Sequence, residues 1–230
     1  MLHKLNTVCF LFALTLMSCG SDADAPKTDS TANRSGQHTI DPMAKMWNDS
    51  AANYYRFSQE PDSVKALKAA WLVDKATLID PDYYQAYFNK LTYLNQSNQF
   101  DRGLETAKQL TRLHPKNIDH ILQLAELFDL TGDSINAQRK YAEALADYET
   151  FLKAPNVTGT TLEMTKVSRG ISMIMLGQES EGKKVIDEIY SKHGNDNVGK
   201  MIAPIRGKGR AEMLNGLRHH DLINRNDSIH

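Results

Sequence analysis

The chain has 230 residues, enough for one or two domains. Its 27 basic and 28 acidic residues nearly cancel, so no global field draws it to nucleic acid or to an anionic membrane. Hydrophobic residues make up 41%, near the low end for a globular chain, which leaves room for a segment without a core.

The first residues read as a targeting segment. His3 and Lys4 form a short basic start, and Val8 to Met17 is an apolar run too short to span a bilayer as a stable helix. The run ends in Leu16-Met17-Ser18-Cys19-Gly20, which resembles the bacterial lipoprotein box, although Met17 is less usual at its place. The resemblance implies a signal peptide over residues 1–18, cleavage before Cys19, and a lipid on its sulfur. The other cysteine, Cys9, would leave with the signal. The mature chain would then hold no disulfide and no cysteine metal site, and would rest on its apolar core alone.

Residues 19–41 carry the lipidated cysteine and a tether. The tether has almost no large apolar residue, so burial cannot offset its ordering entropy. As a flexible chain it spans about 25 Å root-mean-square. Ser21, Asp22 and Asp24 resemble the acidic export signal of surface lipoproteins in Bacteroidetes-type bacteria; a solvated linker accounts for them equally well.

Asp41-Pro42 supplies an N-cap and a first-turn proline. A helix follows through Met43, Met46, Trp47, Ala51, Tyr54 and Tyr55, and Glu60-Pro61-Asp62-Ser63 breaks it. Its partner sets Ala66, Ala69, Ala70, Val73 and Ala76 on one face, with Lys65, Lys68 and Lys75 expected on the solvated side. Between Pro81 and Pro115 the pattern repeats. Tyr84, Tyr87, Phe88, Leu91 and Leu94 mark a first helix, and Phe100, Leu104, Ala107 and Leu110 a second. A third pair has Ile121, Leu124, Ala125 and Phe128, a turn at Thr131-Gly132-Asp133, then Ala137, Tyr141, Ala144, Leu145 and Tyr148. Its second helix runs on towards Pro155. Thr160-Thr161-Leu162-Glu163 reads as a capping box for a fourth pair, which turns at Leu176-Gly177-Gln178 and carries Gly170 and Gly182.

The two prolines stand 34 residues apart, and Gly103, Ala125, Ala137 and Ala144 fall where small residues are needed. The stretch resembles a tetratricopeptide repeat. The resemblance implies an all-α fold of helical hairpins stacked in a right-handed solenoid over residues 42–194. Units are expected near 50–83, 84–117, 118–151 and 163–194. Residues 195–230 are expected to form one or two short capping helices and a tail frayed beyond Asp221.

In that family the first helices line a concave groove. By analogy Tyr54, Tyr55, Phe88, Asn89, Thr92, Leu122, Gln123 and Glu126 face inward, while Tyr87 and Leu91 fill the seam between units; for Tyr55 and Phe88 the seam is an equal alternative to the groove. Rings and amides together suit a peptide or a sugar. The family's clamp for a C-terminal carboxylate is not expected, because its positions hold Tyr54, Ser58, Asn89, Asp119 and Gln123, and only Asn89 fits.

Other chemistry is sparse. His219 and His220 point about 100° apart on a helix and cannot easily share a metal, and His114 and His120 straddle a turn. Gly207-Lys208-Gly209 lacks the spacing of a phosphate loop, and no nucleophile motif is present. The basic set Lys200, Arg206, Lys208, Arg210 and Arg218 reads as a solvated face. Neither a cofactor nor a metal is expected. The sequence points to a non-enzymatic scaffold in the bacterial envelope, lipid-anchored at the outer membrane on its periplasmic or outer face. It would hold a protein or peptide partner in outer-membrane assembly or secretion. The alternative is a surface lipoprotein that binds glycans.

Overall fold

The computed structural model describes residues 38–218. The expected signal segment with Cys9, the expected lipid site Cys19, the expected export signal at Ser21, Asp22 and Asp24, the pair His219–His220 and the tail beyond Asp221 lie outside the described residues. The described residues hold ten α-helices and no strand, and consecutive helices pack on one another. They fall into two compact units, residues 38–120 and residues 121–218.

The first unit contains α1 (Pro42–Phe57), α2 (Asp62–Ile79), α3 (Tyr84–Gln96), α4 (Phe100–Leu113) and the opening turn of α5 (Ile118–Leu130). Asp41 starts α1 as expected: its carboxylate accepts from Met43 N at 2.8 Å and from Ala44 N at 3.3 Å, next to Pro42. The core here is rich in small residues, with Ala44, Ala51, Ala66, Ala69, Ala70, Ala76 and Ala86 closely packed around Val73, Tyr93 and Leu94. Alanine seams bring helix axes close, and the larger Trp47, Tyr54, Tyr55 and Leu72 close the margin. Lys68 is exposed as expected, whereas Lys65 and Lys75 depart from the solvated side expected for them. Lys75 Nζ sits 4.0 Å from the ring centres of both Trp47 and Trp71, and Lys65 Nζ lies 5.0 Å from that of Tyr55. Long aliphatic stems cover apolar surface, and ring faces attract the ammonium, so these positions are half-buried.

The second unit contains the rest of α5, then α6 (Ser134–Phe151), α7 (Gly159–Met175), α8 (Glu179–His193), α9 (Asn197–Ile202), a 3₁₀ turn (Ala203–Ile205) and α10 (Arg210–Arg218). The capping box expected at Thr160–Glu163 does not form. Gly159 takes φ +59° and enters the helix early, Thr158 makes no capping bond, and Glu163 pairs with Lys166 at 3.2 Å. α6 does run long, to Phe151.

Three hairpin turns share one geometry. Asn98, Gly132 and Gly177 take φ of 55°, 90° and 87°. Each following N–H closes back on the preceding helix: Gln99 on Leu94 O at 2.8 Å, Asp133 on Phe128 O at 2.8 Å, Gln178 on Met173 O at 2.9 Å. This is a left-handed C-cap repeated in three hairpins. Four residues past each Gln99, Asp133 or Gln178 stands Gly103, Ala137 or Gly182, and each donates its N–H to the carbonyl of that residue. All three are buried. Small residues thus recur at the same first-turn position of successive second helices. In the last pair, a Cβ on Gly182 would lie 2.5 Å from Gly170 O, so α7 and α8 touch backbone to backbone.

Candidate functional site

In the first unit the expected groove residues sit on the first helices α1 and α3. Asn89 joins these helices: its amide donates to Asn48 Oδ1 at 2.9 Å and accepts from Gln85 Nε2 at 3.0 Å. Asn48 is buried and donates in turn to Tyr83 Oη at 3.3 Å. A ladder of amides therefore runs across α1 and α3, and each rung fixes the next by hydrogen bonding. Asn89 itself stays half-exposed.

Beside the ladder lies an aromatic–histidine cluster. Tyr84 packs against His114 with ring centroids 4.2 Å apart and the planes tilted by 55°, and hydrogen-bonds His120 Nε2 at 2.9 Å. Phe88 stands 6.3 Å from Tyr84 and 6.4 Å from His120, and remains half-buried. Thr92 spends its hydroxyl on Phe88 O at 3.1 Å. Phe88, Asn89 and Thr92 share one α3 face through their three- and four-residue spacing.

The two tyrosines of α1 are held elsewhere. Tyr54 hydrogen-bonds Glu60, which also binds Lys68. Lys68 first, then the Tyr54 hydroxyl, holds the Glu60 carboxyl below its ordinary range. Tyr55 stacks on Tyr93 at 5.1 Å, and burial pushes the Tyr93 phenol up to about 12. Tyr87 and Leu91 are buried in the seam, as their spacing implies.

On α5 of the second unit, Leu122, Gln123 and Glu126 are 3%, 2% and 1% exposed. Every residue from Ile121 to Leu130 is buried. The described residues of this unit include a cover for part of α5. Arg210, at the start of α10, reaches Asp129 and places Nη2 2.6 Å from both carboxylate oxygens. Its backbone N–H meets Glu179 Oε1 at 3.1 Å. Gly209 lies so close to that carboxylate that a Cβ would come within 2.5 Å of Glu179 Oε2. Tyr141 is enclosed nearby. Burial first, then the Glu126 and Asp129 carboxylates, drives its phenol well above the ordinary value. Arg210, expected on a solvated face, is instead structural. Sequence spacing carries no signal for an ion pair 81 residues apart.

A cleft of about 790 Å³ opens in the first unit between α2 and α4, with Asp74, Lys90, Arg102 and Arg112 among its lining. Its charges are matched: Asp74 binds Lys90 at 2.7 Å and Arg102 at 2.6 Å, and Arg112 binds Asp82 at 3.0 Å. Among the described residues no group of three His, Cys, Asp or Glu is arranged to hold a metal, and no helix is long and apolar enough to cross a membrane. No family model matches the chain, and none of the curated proteins matches it.

Proposed function

We propose that the chain is a lipid-anchored, non-enzymatic scaffold of the bacterial envelope, built as a right-handed solenoid of the tetratricopeptide type. It captures a peptide segment of a protein partner on the first helices of its first unit. The observation that carries this reading is the juxtaposition on α1 and α3 of the half-exposed Asn89, fixed by Asn48 and Gln85, with the half-buried Phe88. A ring gives apolar anchoring, and an amide held in place gives orientation to an extended backbone. The repeated C-caps at Asn98, Gly132 and Gly177 and the recurring small residues after them support the repeat assignment. Leu122, Gln123 and Glu126 are buried and stand outside the proposed contact surface.

A crosslinking pull-down with the lipidated protein tests the reading. Asn89→Leu is expected to lose the partner, whereas Gln138→Leu on the exposed side of α6 keeps it. A partner retained by Asn89→Leu, or a glycan bound in place of any protein, would overturn it.

A further inference from the structure

Eleven large apolar side chains stand exposed among the described residues, and nine of them belong to residues 40–79. They are not scattered. On α2, Val64, Leu67, Trp71 and Leu78 follow a heptad-like stripe opposite the buried Ala66, Ala69, Ala70, Val73 and Ala76, interrupted once at Asp74, whose charge Lys90 and Arg102 neutralise. Trp71 is 58% exposed and Leu78 80%. On α1, Met43 and Met46 form a second exposed stripe. Lys75, held between the Trp47 and Trp71 rings, joins the two stripes. One hairpin thus presents a face of methionine, tryptophan, leucine and lysine.

We propose that this face of α1 and α2 lies on the surface of a lipid bilayer. Its composition fits the headgroup boundary: indole rings sit there, apolar side chains enter the acyl region, and lysines extend to phosphates. Position argues the same way. Thirty-seven residues precede His38, and the chain emerges at the start of α1, the hairpin that carries the face. The proposal rests on the anchored reading to the extent that a lipid on Cys19 would hold the start of α1 close to the bilayer.

The sequence supplies its own probe, because Trp47 and Trp71 are its two tryptophans. The full lipidated chain is reconstituted on vesicles of phosphatidylcholine and phosphatidylglycerol in equal amounts, with and without bromine on the acyl chains. The expected result is a blue-shifted emission, quenching by the brominated lipid, and a several-fold loss of quenching by iodide. Leu78→Glu combined with Met43→Glu should restore iodide access while the lipidated protein still floats with the vesicles. Ile135→Glu, exposed in the other unit, should change nothing. A lipidated, floating chain whose tryptophans stay open to iodide overturns the surface and leaves the anchor standing. Tryptophan burial on vesicles by a chain whose mass shows no lipid supports the surface and removes the anchor. Protection from iodide without quenching by brominated lipid, together with a doubled mass, assigns the face to a second copy and overturns the proposal.

Discussion

Gly182 and Gly170 meet so closely that Gly182 has no room for a Cβ and Gly170 little: one on Gly182 would stand 2.5 Å from Gly170 O, and one on Gly170 3.1 Å from Gly182 O. The contact fixes the spacing of α7 and α8. Gly182→Ala must push the helices apart or displace Ile174, whose Cγ1 lies 2.6 Å from the added atom. Overpacking of this kind costs about 1–3 kcal/mol. Gly216→Ala on α10 meets nothing within 4 Å and should stabilise by about 0.5–1 kcal/mol, since glycine is the poorer helix former. Thermal melts of the two variants check the contrast, and a shift of equal sign would contradict it.

Arg210 and Asp129 form the pair that ties α10 to α5. Their side chains are 31% and 6% exposed, so removing the guanidinium leaves a carboxylate with little water. Arg210→Ala should cost about 2–3 kcal/mol, less than breaking a fully buried pair, because the arginine is partly solvated. Arg206→Ala, whose partner Asp187 is exposed, should destabilise far less, because water screens that pair. Adding Asp129→Asn to Arg210→Ala should recover part of the loss, as the stranded charge is gone. Urea titrations of the three variants measure this.

Asp80 gives the first unit an acid-sensitive link between the start of α1 and the end of α2. Burial alone would raise its carboxyl. The N–H groups of Asp41 and Asp82, with His38, outweigh burial and hold it below the ordinary value of 3.8. A lowered folded value means that the stabilisation is fully present above about pH 4. It is lost as pH falls through the folded value. Asp80→Asn should therefore cost about 2 kcal/mol at pH 7, and the gap to wild type should close below pH 4. A gap that stays constant down to pH 2.5 would show that the charge is not what binds Asp41 and Asp82.

Much of the architecture is legible in the sequence because it rests on local chemistry. Asp41-Pro42 dictates a helix start, Gly132 and Gly177 dictate left-handed caps, and Ala137 and Gly182 mark helix contacts. The α3–α4 turn is less legible, since Asn98 takes the left-handed conformation that glycine takes in the other two. The site is read less well for a physical reason. Helical period says which face a residue occupies, not what covers that face. Phe88 and Asn89 remain partly open, whereas Leu122 and Gln123, at the same register one repeat on, are buried. Asn48 and His120 carry no periodic signal, and the period of Tyr84 names only its helix, yet they hold the ladder and the ring cluster. Lys75 obeys its helical face but is drawn between two tryptophans.

The central claim, that α1 and α3 of the first unit carry the partner site, is tested most directly by Phe88→Ala against Leu91→Ala. Thermal stability and partner capture are measured on the same preparations. Leu91 is 2% exposed in the packed seam, and its truncation should cost about 2–5 kcal/mol of folding. Phe88 is half-buried against Tyr84 and His120, so its truncation should cost the fold less. Partner capture should weaken by about 2 kcal/mol or more if the ring is an anchor. The account predicts Phe88→Ala melting near wild type with its partner lost. A large melting drop at Phe88 with capture retained would contradict it.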